Sequence, residues 1–261
     1  PLRARSRVTA RIWLNRTMEA SKQVGQKIDV EALSEVLSPL SVGDRIKYLG
    51  ENFTGQVVAT TSFGLQASVM LHLMKTHAPD VPVVFVDTGY LFPETYRYAE
   101  ALENQLGIQA TVYSAQMTPA RQEALLGRLW EKGEEHAEQY GRINKIEPMS
   151  RALQELGGDI WISGLRRSHS KTRAQRGVVE KQSRTTKIYP ILDWNDEQVE
   201  EYMTRHNLPP HPLAEQGYVS MGDWHSTKPL EEGETAEETR FNGEKYECGL
   251  HLDSGVQDFQ I

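Results

Sequence analysis

Four short runs, at residues 57–61, 83–86, 109–113 and 159–162, are built mainly from Val, Ile, Ala, Thr and aromatic residues. A strand with one wet face alternates apolar and polar side chains, whereas a strand buried on both faces reads as a nearly continuous apolar run. Between the runs, apolar residues return at helical spacing, as with Val36, Leu37, Leu40, Ile46 and Leu49. This spacing predicts helices over 30–49, 66–75, 93–106, 119–132, 148–156 and 195–206. Asn195, with Gln198 three places on, forms a capping signature, and Pro119 sits near the start of its helix. Strand alternating with helix implies an α/β fold, a doubly wound and mostly parallel sheet wrapped by helices.

From Leu208 the periodicity fades into Pro, Gly and charge. The expected organisation is therefore a nucleotide-binding α/β domain over 18–207 and a flexible C-terminal flap over 208–261. Residues 1–17 hold five arginines with no acid before Glu19, which suits a disordered extension, or a start assigned ahead of Met18. No internal repeat or low-complexity linker interrupts the chain.

Composition narrows the function. Lys and Arg number 29 against 36 Asp and Glu, a net charge of −7 that argues against nucleic acid as a partner. No apolar run approaches the roughly 20 residues of a membrane-spanning helix. The single cysteine, Cys248, excludes an internal disulfide and any site built from several cysteines of one chain. It also suits a reducing, cytoplasmic home.

Against that acidic background, basic residues concentrate after the fourth run. Eight Lys or Arg and one acid, Glu180, lie between Arg166 and Lys187. Three stretches follow strand ends, where open α/β sheets bind ligands. Ser62-Phe63-Gly64, with Ser68 beyond it, is a strand–turn–helix start that aims backbone N–H groups at an anion. Asp87-Thr88-Gly89 can bind a ribose or base edge, and Gly164 with Arg166, Arg167 and Arg173 offers guanidinium forks for phosphate or sulfate. Together they predict a polyanionic nucleotide. Cys248 follows Lys245 and precedes His251, a charged and Gly-containing setting that favours an accessible thiolate over a packed thiol.

Ser62-Phe63-Gly64, the stretch 86–95, Gly164-Leu165-Arg166-Arg167, 222–227 and Glu247-Cys248-Gly249-Leu250-His251 occur in the order found in the assimilatory phosphoadenylyl-sulfate reductases, which the chain resembles over 44–251. The resemblance implies an adenine-nucleotide α-hydrolase-like fold, a homodimer, and thioredoxin or glutaredoxin as electron donor. It implies that 3′-phosphoadenylyl sulfate is converted to sulfite and adenosine 3′,5′-bisphosphate through an S-sulfonate on Cys248. A branch acting on adenylyl sulfate carries an iron–sulfur cluster on two cysteine pairs. Those pairs would fall near Tyr140-Gly141 and at Asp223 and Ser226, so the cluster-free branch is implied and no bound cofactor is expected.

By the same resemblance Lys145 contacts the sulfate; on chemical grounds Arg240, Lys245 and His251 are expected to lower the pKa of the thiol or stabilise departing charge. Asp223, His225 and Thr227 fall in the fourth motif as substrate-binding residues. One departure is Tyr246, where relatives often carry Arg. Asp223 and His225, with His251, are too scattered to predict a metal site. An ATP pyrophosphatase or adenylyltransferase of the same fold is the rival enzyme. Its Ser-Gly-Gly-x-Asp-Ser loop is poorly matched, because Phe63 replaces a Gly and Gln66 the Asp. A non-catalytic nucleotide-binding module, which would not need Cys248, is the other rival.

Overall fold

The computed structural model describes residues 28–169, 175–182, 184–236 and 238–240. Six strands form one sheet: β1 (Val57–Thr61), β2 (Val83–Asp87), β3 (Thr111–Ser114), β4 (Ile160–Ile162), β5 (Val179–Lys181) and β6 (Thr186–Ile188). Their order is β3-β2-β1-β4-β6-β5, and every neighbouring pair is parallel except β5 with β6. The chain steps outward from β1 to β2 and β3, then returns to the other side of β1 with β4. Loops leaving β1 and β4 therefore diverge, and a crevice opens at their carboxyl ends.

Period-two alternation divides the core. Val57 and Ala59 of β1 face a large apolar layer supplied by α1 (Val30–Leu37), α2 (Val42–Asn52), α3 (Ala67–His77), α4 (Pro93–Leu106) and α8 (Asp196–Arg205). Val58 faces the other way, where Val84, Tyr113 and Trp161 pack against Met149 and Ala152 of α7 (Glu147–Leu156). Leu37, Ile46, Leu49, Ile160, Ile162 and Ile188 are completely buried, each worth about 1.5–3 kcal/mol over an exposed position.

Several sequence expectations need correction. The helix expected over 30–49 is two, because Pro39 stops α1 and Ser41 starts α2 by accepting the Asp44 N–H at 3.2 Å. Arg45 then ties the join together, donating to the carbonyls of Leu37, Ser38 and Pro190. The helix expected over 119–132 ends as α5 (Pro119–Leu126), since Gly127 takes φ +71° before a 3₁₀ turn at Leu129–Glu131. The third strand starts two residues later and ends one residue later than the expected 109–113. Helix α6 (Glu134–Gly141) and strands β5 and β6 were not expected at all.

Beyond α8, the described part of the expected flap lies against the strand ends. His211 is fully buried: its N–H donates to the Leu65 carbonyl at 3.2 Å, and its Nδ1 accepts from Leu213 N–H at 3.1 Å. That leaves Nε2 to donate to the Thr95 hydroxyl at 3.0 Å. Further on, Leu91 and Asp223 form an antiparallel bridge, as do Thr227 and Arg240. No helix among the described residues is long and apolar enough to cross a membrane.

Candidate active site

A cavity of about 630 Å³ lies at the carboxyl ends of β1, β2 and β4. Its floor starts with the turn after β1. Phe63 takes φ +46°, a left-handed conformation that costs a non-glycine residue on the order of 1–2 kcal/mol. The turn is held because the Phe63 ring is buried beneath it, edge-on to Phe85 at 4.9 Å, while Phe63 N–H donates to the Thr61 hydroxyl at 3.1 Å. Ser62 and Gly64 are left facing the cavity. Helix α3 begins there with no side-chain cap, so its positive dipole end opens onto the cavity beside Gln66 and Ala67.

The β2 side carries a buried ion pair. Lys145 Nζ lies 2.7 Å from Asp223 Oδ2, and the two side chains are 7% and 1% exposed. Thr88 donates to the other carboxylate oxygen at 2.5 Å and accepts from Tyr90 N–H at 3.2 Å. Burial pushes the Asp223 carboxyl up, but Lys145 and the Thr88 hydroxyl outweigh it and hold the group below its ordinary value. Lys145 reaches this position from a π-helical turn, Arg142–Ile146. The turn is fixed by Asn144, whose amide exchanges two hydrogen bonds with that of Gln122, at 2.8 and 2.9 Å.

Behind this pair sits an aromatic cluster. His225 stacks on Trp130 at 3.9 Å and 7°, with Tyr140, Trp224 and Tyr90 edge-on at 5.0, 5.5 and 5.7 Å. Burial lowers the His225 pKa to about 4, although Asp223 acts in the opposite direction. Tyr140 thus meets the 223–226 turn in space. The positions compared above with the two cysteine pairs therefore come together in space, and they hold Tyr140-Gly141 on one side and Asp223 and Ser226 on the other.

The β4 side is organised by Arg166, itself only 2% exposed. Its Nη2 donates to Gln66 Oε1 at 2.5 Å and to Asp196 Oδ1 at 2.8 Å. Its Nη1 reaches the Ser168 hydroxyl and the Trp194 carbonyl, both at 3.4 Å. Gly164 is required by close approach, since a Cβ there would meet Met70 Cγ at 2.7 Å. A third cation, Arg240, donates to the Met221 carbonyl at 2.7 Å and the Ser220 hydroxyl at 3.2 Å.

Of the residues singled out from sequence, Ser62, Gly64, Thr88, Lys145, Gly164, Arg166, Asp223 and Arg240 line the one cavity. Others do not line it. Phe63 and Ser68 are buried, and Asp87 accepts from Gly89 N–H and the Tyr96 hydroxyl, so it shapes its own turn. Gly89 packs on Pro119, and Arg167 pairs with Asp193 and the Arg176 carbonyl. His225 faces the aromatic cluster, and Thr227 bridges to Arg240. Arg173, Lys245, Cys248 and His251 lie outside the described residues. Gln66, Trp161 and Asp196 line the cavity without having been singled out. Gln66 drew notice only for replacing the rival motif's Asp, and Asp196 drew none. No group of three or more His, Cys, Asp or Glu among the described residues is placed to hold a metal.

Residues 56–229 match the phosphoadenosine phosphosulfate reductase domain. The chain is 49% identical over 223 residues to phosphoadenosine 5′-phosphosulfate reductase of Alkalilimnicola ehrlichii, covering 85% of this chain and 91% of that protein. It is 46% identical over 234 residues to that of Serratia proteamaculans, covering 90% and 96%. Among solved structures, phosphoadenylyl-sulfate reductase from Candida auris, as a phosphate complex, aligns with TM-score 0.69 and 28% identity over 78% of this chain and 100% of that one. Candida glabrata FMN adenylyltransferase aligns with TM-score 0.51 and 15% identity, over 84% of this chain and 75% of that one, a likeness of fold alone. The chain belongs to the phosphoadenosine phosphosulfate reductase family.

Proposed function

We propose that this family member, an oxidoreductase acting on a sulfur group, converts 3′-phosphoadenylyl sulfate to sulfite and adenosine 3′,5′-bisphosphate for sulfate assimilation. One observation carries the reading. Three cations, Lys145, Arg166 and Arg240, line a cavity at the sheet's switch point, and the chain leads from Arg240 to its sole cysteine within eight residues. Eight extended residues span at most about 29 Å, so the tether keeps Cys248 within reach of the cavity. The Cys248 thiolate would attack the sulfur of the phosphosulfate. A sulfur–sulfur bond forms, the bond from sulfur to the bridging oxygen breaks, and the nucleotide leaves with that electron pair.

Releasing sulfite needs a further thiol, and this chain has none. An external dithiol, thioredoxin or glutaredoxin in this reading, attacks Cys248 Sγ and expels sulfite. Its second thiol then resolves the mixed disulfide, returning the Cys248 thiolate and oxidising the donor by two electrons. Such donors are kept reduced in the cytoplasm, where the enzyme would work as a homodimer. The pyrophosphatase alternative is disfavoured by Gln66, which carries no charge for a metal and is committed to Arg166.

Mass spectrometry after incubation with 3′-phosphoadenylyl sulfate and no reductant is expected to find one sulfonate, on Cys248. Replacing Cys248 by Ser is expected to lower sulfite formation by at least about 10³-fold. An unmodified cysteine, or sulfite made catalytically without a dithiol, would overturn the reading.

A further inference from the structure

Among the described residues, four groups hold the Arg166 guanidinium, and one of them differs from the rest. Gln66, Ser168 and the Trp194 carbonyl belong to the cavity wall or the segment behind it. Asp196 reaches in from the first turn of α8, and its side chain is 67% exposed against 2% for Arg166. An exposed carboxylate released from a pair is rehydrated at once, and an incoming phosphate or sulfate would replace it as the anion beside the buried guanidinium, so the exchange leaves no buried charge without a counterion. The guanidinium would stay where it is, because Gln66 holds the same Nη2. Nor would the backbone have to move. The reciprocal capping box of Asn195 and Gln198 fixes the start of α8, and rotation about the Asp196 side-chain torsions suffices.

We propose that Asp196 is a displaceable internal anion, which pairs with Arg166 in the open cavity and gives up that place to a phosphate or sulfate group of the nucleotide. This rests on the nucleotide reading of the cavity given above. The charges lining the cavity agree with it: Lys145, Arg166 and Arg240 against Asp196 and Asp223. Asp223 is buried with its lysine and cannot be exchanged. Withdrawal of Asp196 is therefore the one move that raises the positive charge presented to a ligand among these residues. A resident carboxylate also sets a threshold for selection, because a ligand with no anion to offer Arg166 gains nothing by entering.

The test is calorimetric titration of the full chain with adenosine 3′,5′-bisphosphate and with adenosine, using Asp196→Asn and Asp196→Glu. The exposed position lets both variants fold, which melting curves would verify. D196N is expected to bind the bisphosphate about fivefold more tightly than the wild type, with less gain as salt is added. Adenosine is expected to bind D196N and wild type equally, and D196E to bind the bisphosphate within about twofold of wild type. Weaker or unaltered bisphosphate binding by D196N would mean the carboxylate braces Arg166, and the inference fails. A gain shared by adenosine sinks it as well. If the wild type binds neither compound, the reading of the cavity falls and takes this inference with it, a result separate from any ranking of the variants.

Discussion

Lys145 and Arg166 enter the same cavity from the β2 and β4 sides, and each meets a carboxylate. Asp223 is 1% exposed and also receives the Thr88 hydroxyl, whereas Asp196 is 67% exposed. In the first case both charges are out of water, so each depends on the other. In the second only the arginine is buried, and its acid partner has solvent as an alternative. A pair of the first kind fixes the architecture; a pair of the second kind leaves a position that a ligand can claim.

That contrast is most exposed to failure in stability measurements. Asp223→Ala removes the carboxylate shared by a buried ammonium and a buried hydroxyl, and urea unfolding is expected to show a loss of about 3–5 kcal/mol. Asp196→Ala is expected to lose about 1 kcal/mol or less; equal losses would erase the distinction. Acid should next attack the β2 side through His225. The folded protein keeps this imidazole neutral down to about pH 4, while the unfolded chain takes up a proton near 6.5. The unfolded state then binds more protons between those values, so stability is complete above 6.5 and declines as pH falls toward 4.

The His225 contribution is up to roughly 3 kcal/mol. His225→Phe keeps a ring on Trp130 but cannot titrate, so its stability is expected to fall less between pH 6.5 and 4.5. Buried His211 acts in the same direction and leaves a residual slope. A smaller effect is expected at the third cation. A Cβ on Gly222 would lie 2.3 Å from Arg240 Nη2, so Gly222→Ala must move the guanidinium. It is expected to weaken nucleotide binding by about tenfold while changing unfolding by about 1 kcal/mol or less.

The elements that carry this site were legible where burial left a periodic trace. Strands β1, β2 and β4 are apolar on both faces because helices cover both, and the stretches after them were found for that reason. β5 and β6 left no such trace. Each is three residues long and contains a charge, with Glu180 opposite Lys187 in the ladder. Lys187 is nonetheless fully buried, its ammonium 3.7 Å from the Trp161 ring centroid, a contact no periodicity announces. Helix α6 buries only Tyr140, too little to mark a face. In the site, residue type alone could not divide Thr88 from Asp87. The acid looks the better ligand, yet its carboxylate closes its own turn. Arg166 was visible as a cation, but Gln66 and Asp196 come from two other elements, and only the folded chain brings them to it.

Phe63 carries a consequence for how this scaffold can change its chemistry. The rival motif, Ser-Gly-Gly-x-Asp-Ser, has a glycine at this position, a residue that takes positive φ without strain. Here the bend depends on a ring wedged against Phe85. A return to glycine would relax the backbone but open a hole in the core, and most other side chains would keep the strain without filling the space. Conversion between the two loop types therefore needs coordinated changes at Phe63 and Phe85. Single-step mutation meets a barrier in stability before it reaches any new substrate.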